Sequence, residues 1–132
     1  MVPVVRVIVP CVSITSNDGH PPFSLHDVLF SLVPNVAPGS KLTISFSLFI
    51  AYTAVRQAGD FHLRILGGID GKCVYLTDDF PAGLHSEPTT VFGQPIELAD
   101  VTFPHPGQYS IHLHWGSEDI AQTYLDVRNA NG

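Results

Sequence analysis

Charge is what this chain has least of: of 132 residues six are Lys or Arg and twelve are Asp or Glu, 14% in all, with a net charge of −6. A soluble domain usually carries about 25%. So little charge solvates a surface poorly, and part of the apolar surface is expected to be covered by another chain. The cations Arg6, Lys41, Arg56, Arg64, Lys72 and Arg128 are scattered, so no patch could replace several phosphate counterions at once, which argues against nucleic acid as a partner. Long apolar runs are also missing. Nothing approaches the ~20 residues of a membrane helix, and no membrane contact is expected. Residues 1–10 are apolar but are broken by Pro3, Arg6 and Pro10; without a basic leading region or a cleavage pattern they do not read as a signal peptide. Cysteine is scarce, and Cys11 and Cys73 lie too far apart for a CxxC redox pair or a zinc knuckle. Two buried free thiols in a cytoplasmic protein are the expectation. Neither an internal repeat nor a helical period is present.

What the chain has in quantity is alternation. Successive strand side chains point to opposite faces, so a half-buried strand reads apolar at every second residue. In residues 103–127 a corner, Phe103-Pro104-His105-Pro106-Gly107, leads into Tyr109, Ile111, Leu113 and Trp115 on one parity and Gln108, Ser110, His112 and His114 on the other. The pattern predicts a strand with Tyr109, Ile111, Leu113 and Trp115 buried between sheets and a wet opposite face. A short bulged turn centred on Ser117-Glu118-Asp119 then sets Ala121, Thr123, Leu125 and Val127 inward; slipping by one would bury Gln122, Tyr124 and Asp126 instead. Gly107-Gln108-Tyr109 ahead of the strand has the form of the tyrosine corner of immunoglobulin-like sandwiches, whose phenol bonds back to upstream backbone.

Earlier in the chain, residues 4–9 are nearly all β-branched and alternation resumes from Cys11 to Thr15, which predicts a first strand bent or bulged at Pro10. Asn17-Asp18-Gly19 supplies turn chemistry tolerant of positive φ. From Phe23 to Val33 both parities are mixed, and a bulge near Asp27 resolves them, with Asp27 a backbone-bonded turn residue and not a catalytic acid. Pro34 to Ser40 is loop. Residues 41–55 form the longest alternating run, with Leu42, Ile44, Phe46, Leu48, Ile50 and Tyr52 inside. That exceeds the usual strand length, so it is expected to bend or to reach beyond the sandwich. Phe49, on the outer parity, is either covered by a loop or part of an interface. Phe61, Leu63 and Ile65 face in, and Gly67 to Lys72 turns the chain back into Cys73 to Leu76. Gly67-Gly68 opens a hairpin and not a phosphate loop, since neither a helix start nor Gly-Lys-Ser/Thr follows. Residues 77–95 read as the least regular, mobile part, and 96–103 as a further strand. Residues 1–132 thus read as one all-β domain, a two-sheet antiparallel β-sandwich, immunoglobulin-like.

This layout resembles a family of uncharacterised bacterial immunoglobulin-like β-sandwich proteins. The residues that carry the resemblance are Asn17-Asp18-Gly19 leading into Ser24-Leu25-His26-Asp27-Val28, the strand Gly59-Asp60-Phe61-His62-Leu63 ending at Asp70-Gly71, and Phe103-Pro104-His105-Pro106-Gly107-Gln108-Tyr109. They span most of the chain but are turn and core residues. The resemblance implies the sandwich fold and no catalytic residue, and fold alone does not assign function.

Seven histidines invite a metal hypothesis. His112 and His114 share a face of one strand, and His62 is the third candidate ligand if the strands pair as in immunoglobulin-like folds. No HExxH motif or carboxylate cluster accompanies them, Gln122 and Tyr124 are the expected cross-strand neighbours, and no carboxylate is evidently placed to orient the imidazoles. The pair therefore reads as a surface feature, with a metal centre at His62, His112 and His114 as the alternative. His20, His26, His85 and His105 read as solvent residues. No serine sits in Gly-x-Ser-x-Gly or is marked out with its own base, and no pair of carboxylates is evidently an acid and base. The expectation is a non-enzymatic domain without cofactor, whose work is contact with another protein or with itself, most simply through residues 41–55 or the edge near residues 4–9. A metal- or small-ligand-binding domain using the outer face of the last hairpin is the alternative, and an accessory domain of a phage or secretion particle is a third reading.

Overall fold

The computed structural model describes residues 2–53, 55, 57–83 and 90–130; Arg56 and His85 lie outside them. Ten strands follow in order: β1 (Val4–Asn17), β2 (His20–Val28), β3 (Ser31–Leu32), β4 (Leu42–Thr53), β5 (Asp60–Gly67), β6 (Cys73–Leu76), β7 (Phe80–Pro81), β8 (Phe92–Phe103), β9 (Gly107–Trp115) and β10 (Glu118–Val127). Among the described residues there is no helix long and apolar enough to cross a membrane.

Two sheets form, one in the order β2-β1-β4-β8 and one in the order β3-β10-β9-β5-β6, with β7 paired to β5. All pairings are antiparallel except the short β3–β10 contact, Asp126 beside Ser31 and Val127 beside Leu32. The neighbours β1-β4-β8 and β10-β9-β5 match the A-B-E and G-F-C orders of immunoglobulin-like sandwiches. The tyrosine corner is present as well: the Tyr109 hydroxyl donates to the His105 carbonyl four residues upstream, at 2.6 Å.

Parity places the core as alternation predicts. Leu42, Phe46, Leu48, Ile50 and Tyr52 of β4 are buried and share one hydrophobic cluster with Phe61, Leu63 and Ile65 of β5 and Tyr109, Ile111 and Leu113 of β9. Each contributes roughly 1.5–3 kcal/mol through removal from water. The last hairpin has the register that keeps Leu125 and Val127 inward, opposite Tyr109 and Gly107, with a bulge between Asp119 and Ala121. Trp115 departs from expectation: it is only half-buried, because it ends β9 at the rim of the sandwich, where its indole stacks edge-on against Phe61 at 5.1 Å.

Local chemistry explains the turns. Asp18 and Gly19 both take positive φ, 52° and 77°, the two-residue geometry whose twist suits a hairpin, and the Gly19 amide donates to Ser16 Oγ. The bulge expected near Asp27 is not found: Asp27 lies at positive φ, 55°, but the β1–β2 register shifts between Ser16 and Asn17, and Phe23, Leu25 and Leu29 keep one partly buried parity. β1, however, does not break at Pro10; its irregularity falls between Val5 and Val7. The Pro10 carbonyl accepts from the Leu29 amide, on the side away from β4, so the N–H that proline lacks is one β4 never needed.

Three further expectations are corrected. Residues 92–95 are not loop: Phe92 to Pro95 begin β8 and pair with Tyr52 to Phe49. Phe49 is covered from within the chain by Phe23 of β2, ring centroids 5.2 Å apart, over Gly93, where a Cβ would sit 2.7 Å from one ring and 2.8 Å from the other. β4, at twelve residues shorter than the predicted run, is flanked by β1 and β8 and so presents no open edge.

The cysteines stand on different sheets, Cys11 buried on β1 and Cys73 exposed on β6, which corrects the expectation of two buried thiols. Burial also pushes the Cys11 thiol above its ordinary pKa, away from the reactive thiolate. A thiol reagent added to native protein is expected to titrate one sulfhydryl quickly, and denaturation to release the second. Two fast thiols would contradict the packing of β1, and none in denatured protein would mean a disulfide.

Candidate functional site on the histidine face

The polar parity of β5 and β9 makes the outer face of the second sheet, and it gathers the three candidate ligands. His62 stands directly opposite His114, and Arg64 opposite His112. The His62 and His114 rings stack with centroids 4.8 Å apart and 14° between planes. That β5 neighbours β9 is what immunoglobulin-like strand order leads one to expect, and the register sets His62 against His114.

The neighbours differ from expectation. Gln122 does face His112, but Tyr124 faces Ser110, and His114 faces Asp119. A carboxylate is in fact placed to orient a histidine: His112 Nδ1 donates to Asp119 Oδ2 at 2.7 Å, leaving Nε2 to accept from Ser110 Oγ at 2.8 Å. The bulge after Asp119 is what carries that carboxylate alongside His112. On β5, Asp79 approaches His62 Nδ1 at 3.6 Å. The sequence signal that could have found these contacts was slight, because Asp119 reads as a turn residue, although it lies in β10, and Asp79 falls in a segment that reads as loop.

Ser110, His112 and Asp119 thus stand in the order nucleophile, base and orienter. An acyl-transfer centre also needs donors aimed at a developing oxyanion and room for substrate beside the serine. β9 is paired on both sides, to β5 and β10, so its backbone amides are engaged in ladders. One cleft is lined by Asp119 with Ile120, Ala121 and Gln122, while Ser110 and His112 line none of the principal clefts among the described residues. The chain of hydrogen bonds fixes these side chains on the sheet surface.

The three histidines do not converge: among the described residues no group of three His, Cys, Asp or Glu side chains has an arrangement that could hold a metal ion. Both His112 nitrogens are engaged, whereas for His114 burial foremost lowers the pKa, with Asp119 opposing and His62, Arg64 and His112 adding to the fall. These effects together favour the neutral form of His114.

Beside His62 a cleft of about 420 Å³ is lined by Gly59, Asp60, Asp79, Trp115 and Gly116 among others. At its wall Gly59 lets the Trp115 ring lie against the backbone, since a Cβ there would collide with that ring. Of the remaining histidines, His20, His26 and His105 are exposed, His26 bonding Thr15 Oγ1 and His105 supplying the carbonyl of the tyrosine corner, while the reading of His85 falls outside the described residues.

No protein-family model matches this chain, and no curated protein matches it either. Among solved structures it is similar to an immunoglobulin-like protein from Pseudomonas aeruginosa, with 15% identity, a TM-score of 0.42, and coverage of 97% of this chain and 98% of that one.

Proposed function

We propose that this immunoglobulin-like domain is a non-enzymatic contact module that associates with a second copy of itself through the open edge of β1. The observation that carries the reading is the edge itself. β1 pairs with β4 from Val4 onward, but β2 joins its other side only from Cys11. Residues 4–9 therefore present unpaired backbone on one side, with Val4 and Val7 exposed and Arg6 the one charge. β10 of the facing sheet also packs near β1 but does not join its ladder; natural sheets usually protect such an edge with lysines, prolines or a covering element, and a β-branched edge without a ladder partner invites another strand. Antiparallel pairing of two such edges is self-complementary and closes as a twofold dimer. The low charge of the whole chain supports the same reading, as do the exposed Val12 of β1, Val28 opposite Cys11, and Phe30 and Val33 that follow it.

Light scattering after size exclusion tests it. The unaltered chain is expected to run as a dimer at micromolar concentration and the Val4→Lys/Val7→Lys variant as a monomer with the same unfolding midpoint. A monomeric unaltered chain would overturn self-association, and labelling of Ser110 by a fluorophosphonate probe would overturn the non-enzymatic reading.

A further inference from the structure

We propose that His62 and His114 form a cross-strand clamp for one divalent transition-metal ion, with a single imidazole nitrogen donated from each of β5 and β9. The pair is directly opposed in register, so the two side chains leave the sheet within reach of a common point. Their rings already lie face to face at 4.8 Å. Turning each ring about its last torsion brings a nitrogen of each toward one ion, at the ~2.0–2.1 Å that imidazole ligation needs. Because both rings are rooted in paired strands, much of the entropic cost of assembling two ligands is already met by the fold.

The surroundings select this pair from the three histidines. His112 is committed at Nδ1 to Asp119 and at Nε2 to Ser110, so it cannot ligate without breaking both bonds. His62 has the Asp79 carboxylate 3.6 Å from Nδ1, too far for a hydrogen bond but close enough for its charge to favour a bound cation, and Nε2 is left for the ion. The charges around the pair are Arg64, which opposes a cation, and Asp60, Asp79 and Asp119, which favour one. The cleft beside His62 leaves space for water or an outside ligand to complete the coordination. With two nitrogen donors and no thiolate, the site suits imidazole-binding ions, and Cu(II) stands highest among them in the affinity order.

The test is Cu(II) titration of the tag-free full chain in competition with a chelator, with electron paramagnetic resonance of the bound ion. One equivalent is expected to bind through two nitrogens. His62→Asn and His114→Asn should each weaken it by more than the ~10-fold typical of losing an outer-shell partner, while His112→Asn leaves it unchanged; matched urea midpoints exclude misfolding as the cause. Undiminished binding in the His62→Asn/His114→Asn variant, which would mean an adventitious ion only, overturns the clamp. So does an equal loss in His112→Asn, or a spectrum with one nitrogen donor.

Discussion

Phe61→Ala is expected to lower the free energy of unfolding by about 3–5 kcal/mol, a large share of the roughly 5–15 kcal/mol that holds a domain folded. Phe61 is fully buried and sits amid Tyr52, Trp115 and Phe80, with ring centroids 4.9, 5.1 and 5.8 Å from its own. β4, β9 and β7 thus meet through one ring, and truncation leaves a cavity that three rigid aromatic neighbours collapse into poorly. Urea denaturation followed by circular dichroism, which also serves a variant lacking Trp115, the chain's one tryptophan, is the measurement, and the midpoint should fall at constant slope. Trp115→Ala should cost less, because Trp115 is half-buried at the rim. If the two costs came out reversed, the core would be centred at the rim and not between the sheets.

Tyr109→Ala should cost about as much, roughly 3–5 kcal/mol, whereas Tyr109→Phe should cost about 1 kcal/mol. The ring is buried against Phe103, with centroids 4.8 Å apart, and the hydroxyl alone holds the corner to the His105 carbonyl. Burial pushes the phenol pKa up, with the bond to His105 opposing and Asp70 adding to the rise, so the group remains a protonated donor at neutral pH. The pair of substitutions separates packing from hydrogen bonding in the same unfolding experiment. A neutral Tyr109→Phe would show that the corner bond adds nothing to stability.

Both predictions rest on parity, and parity is the part of this fold that was legible beforehand. Period-two burial is a local property, so Leu42 to Tyr52, Phe61 to Ile65 and Tyr109 to Leu113 could be assigned from their own neighbours. What was not legible depended on partners distant in the chain. β3 is two residues long and exists because Asp126 and Val127 lie beside it; no period marks it. Phe92 to Pro95 carry a glycine and a proline that read as loop, yet pairing with β4 overrides that composition. At the histidine face, the adjacency of β5 and β9 followed from strand order, while the register that opposes His62 to His114 did not. Nor did the contact of Asp119 with His112, because it depends on a bulge whose position the turn residues leave open. Asp79 was hidden for a similar reason, within a segment whose composition suggests only irregular chain.

The change of partner along β1 has a consequence for how the sandwich breathes. Up to Cys11 the strand pairs with β4 in the body of the sheet, and beyond it only with β2, as a two-stranded arm resting on the first sheet through Phe23 and Phe49. A ribbon of two strands is marginal alone, and local opening follows the number of contacts that must be broken. Amide protons of residues 13–25 should therefore exchange with solvent through lifting of the arm, while those bonded between β1 and β4 wait for the whole domain to unfold. A single continuous strand carries both regimes, and Cys11, buried at the junction, is where one gives way to the other.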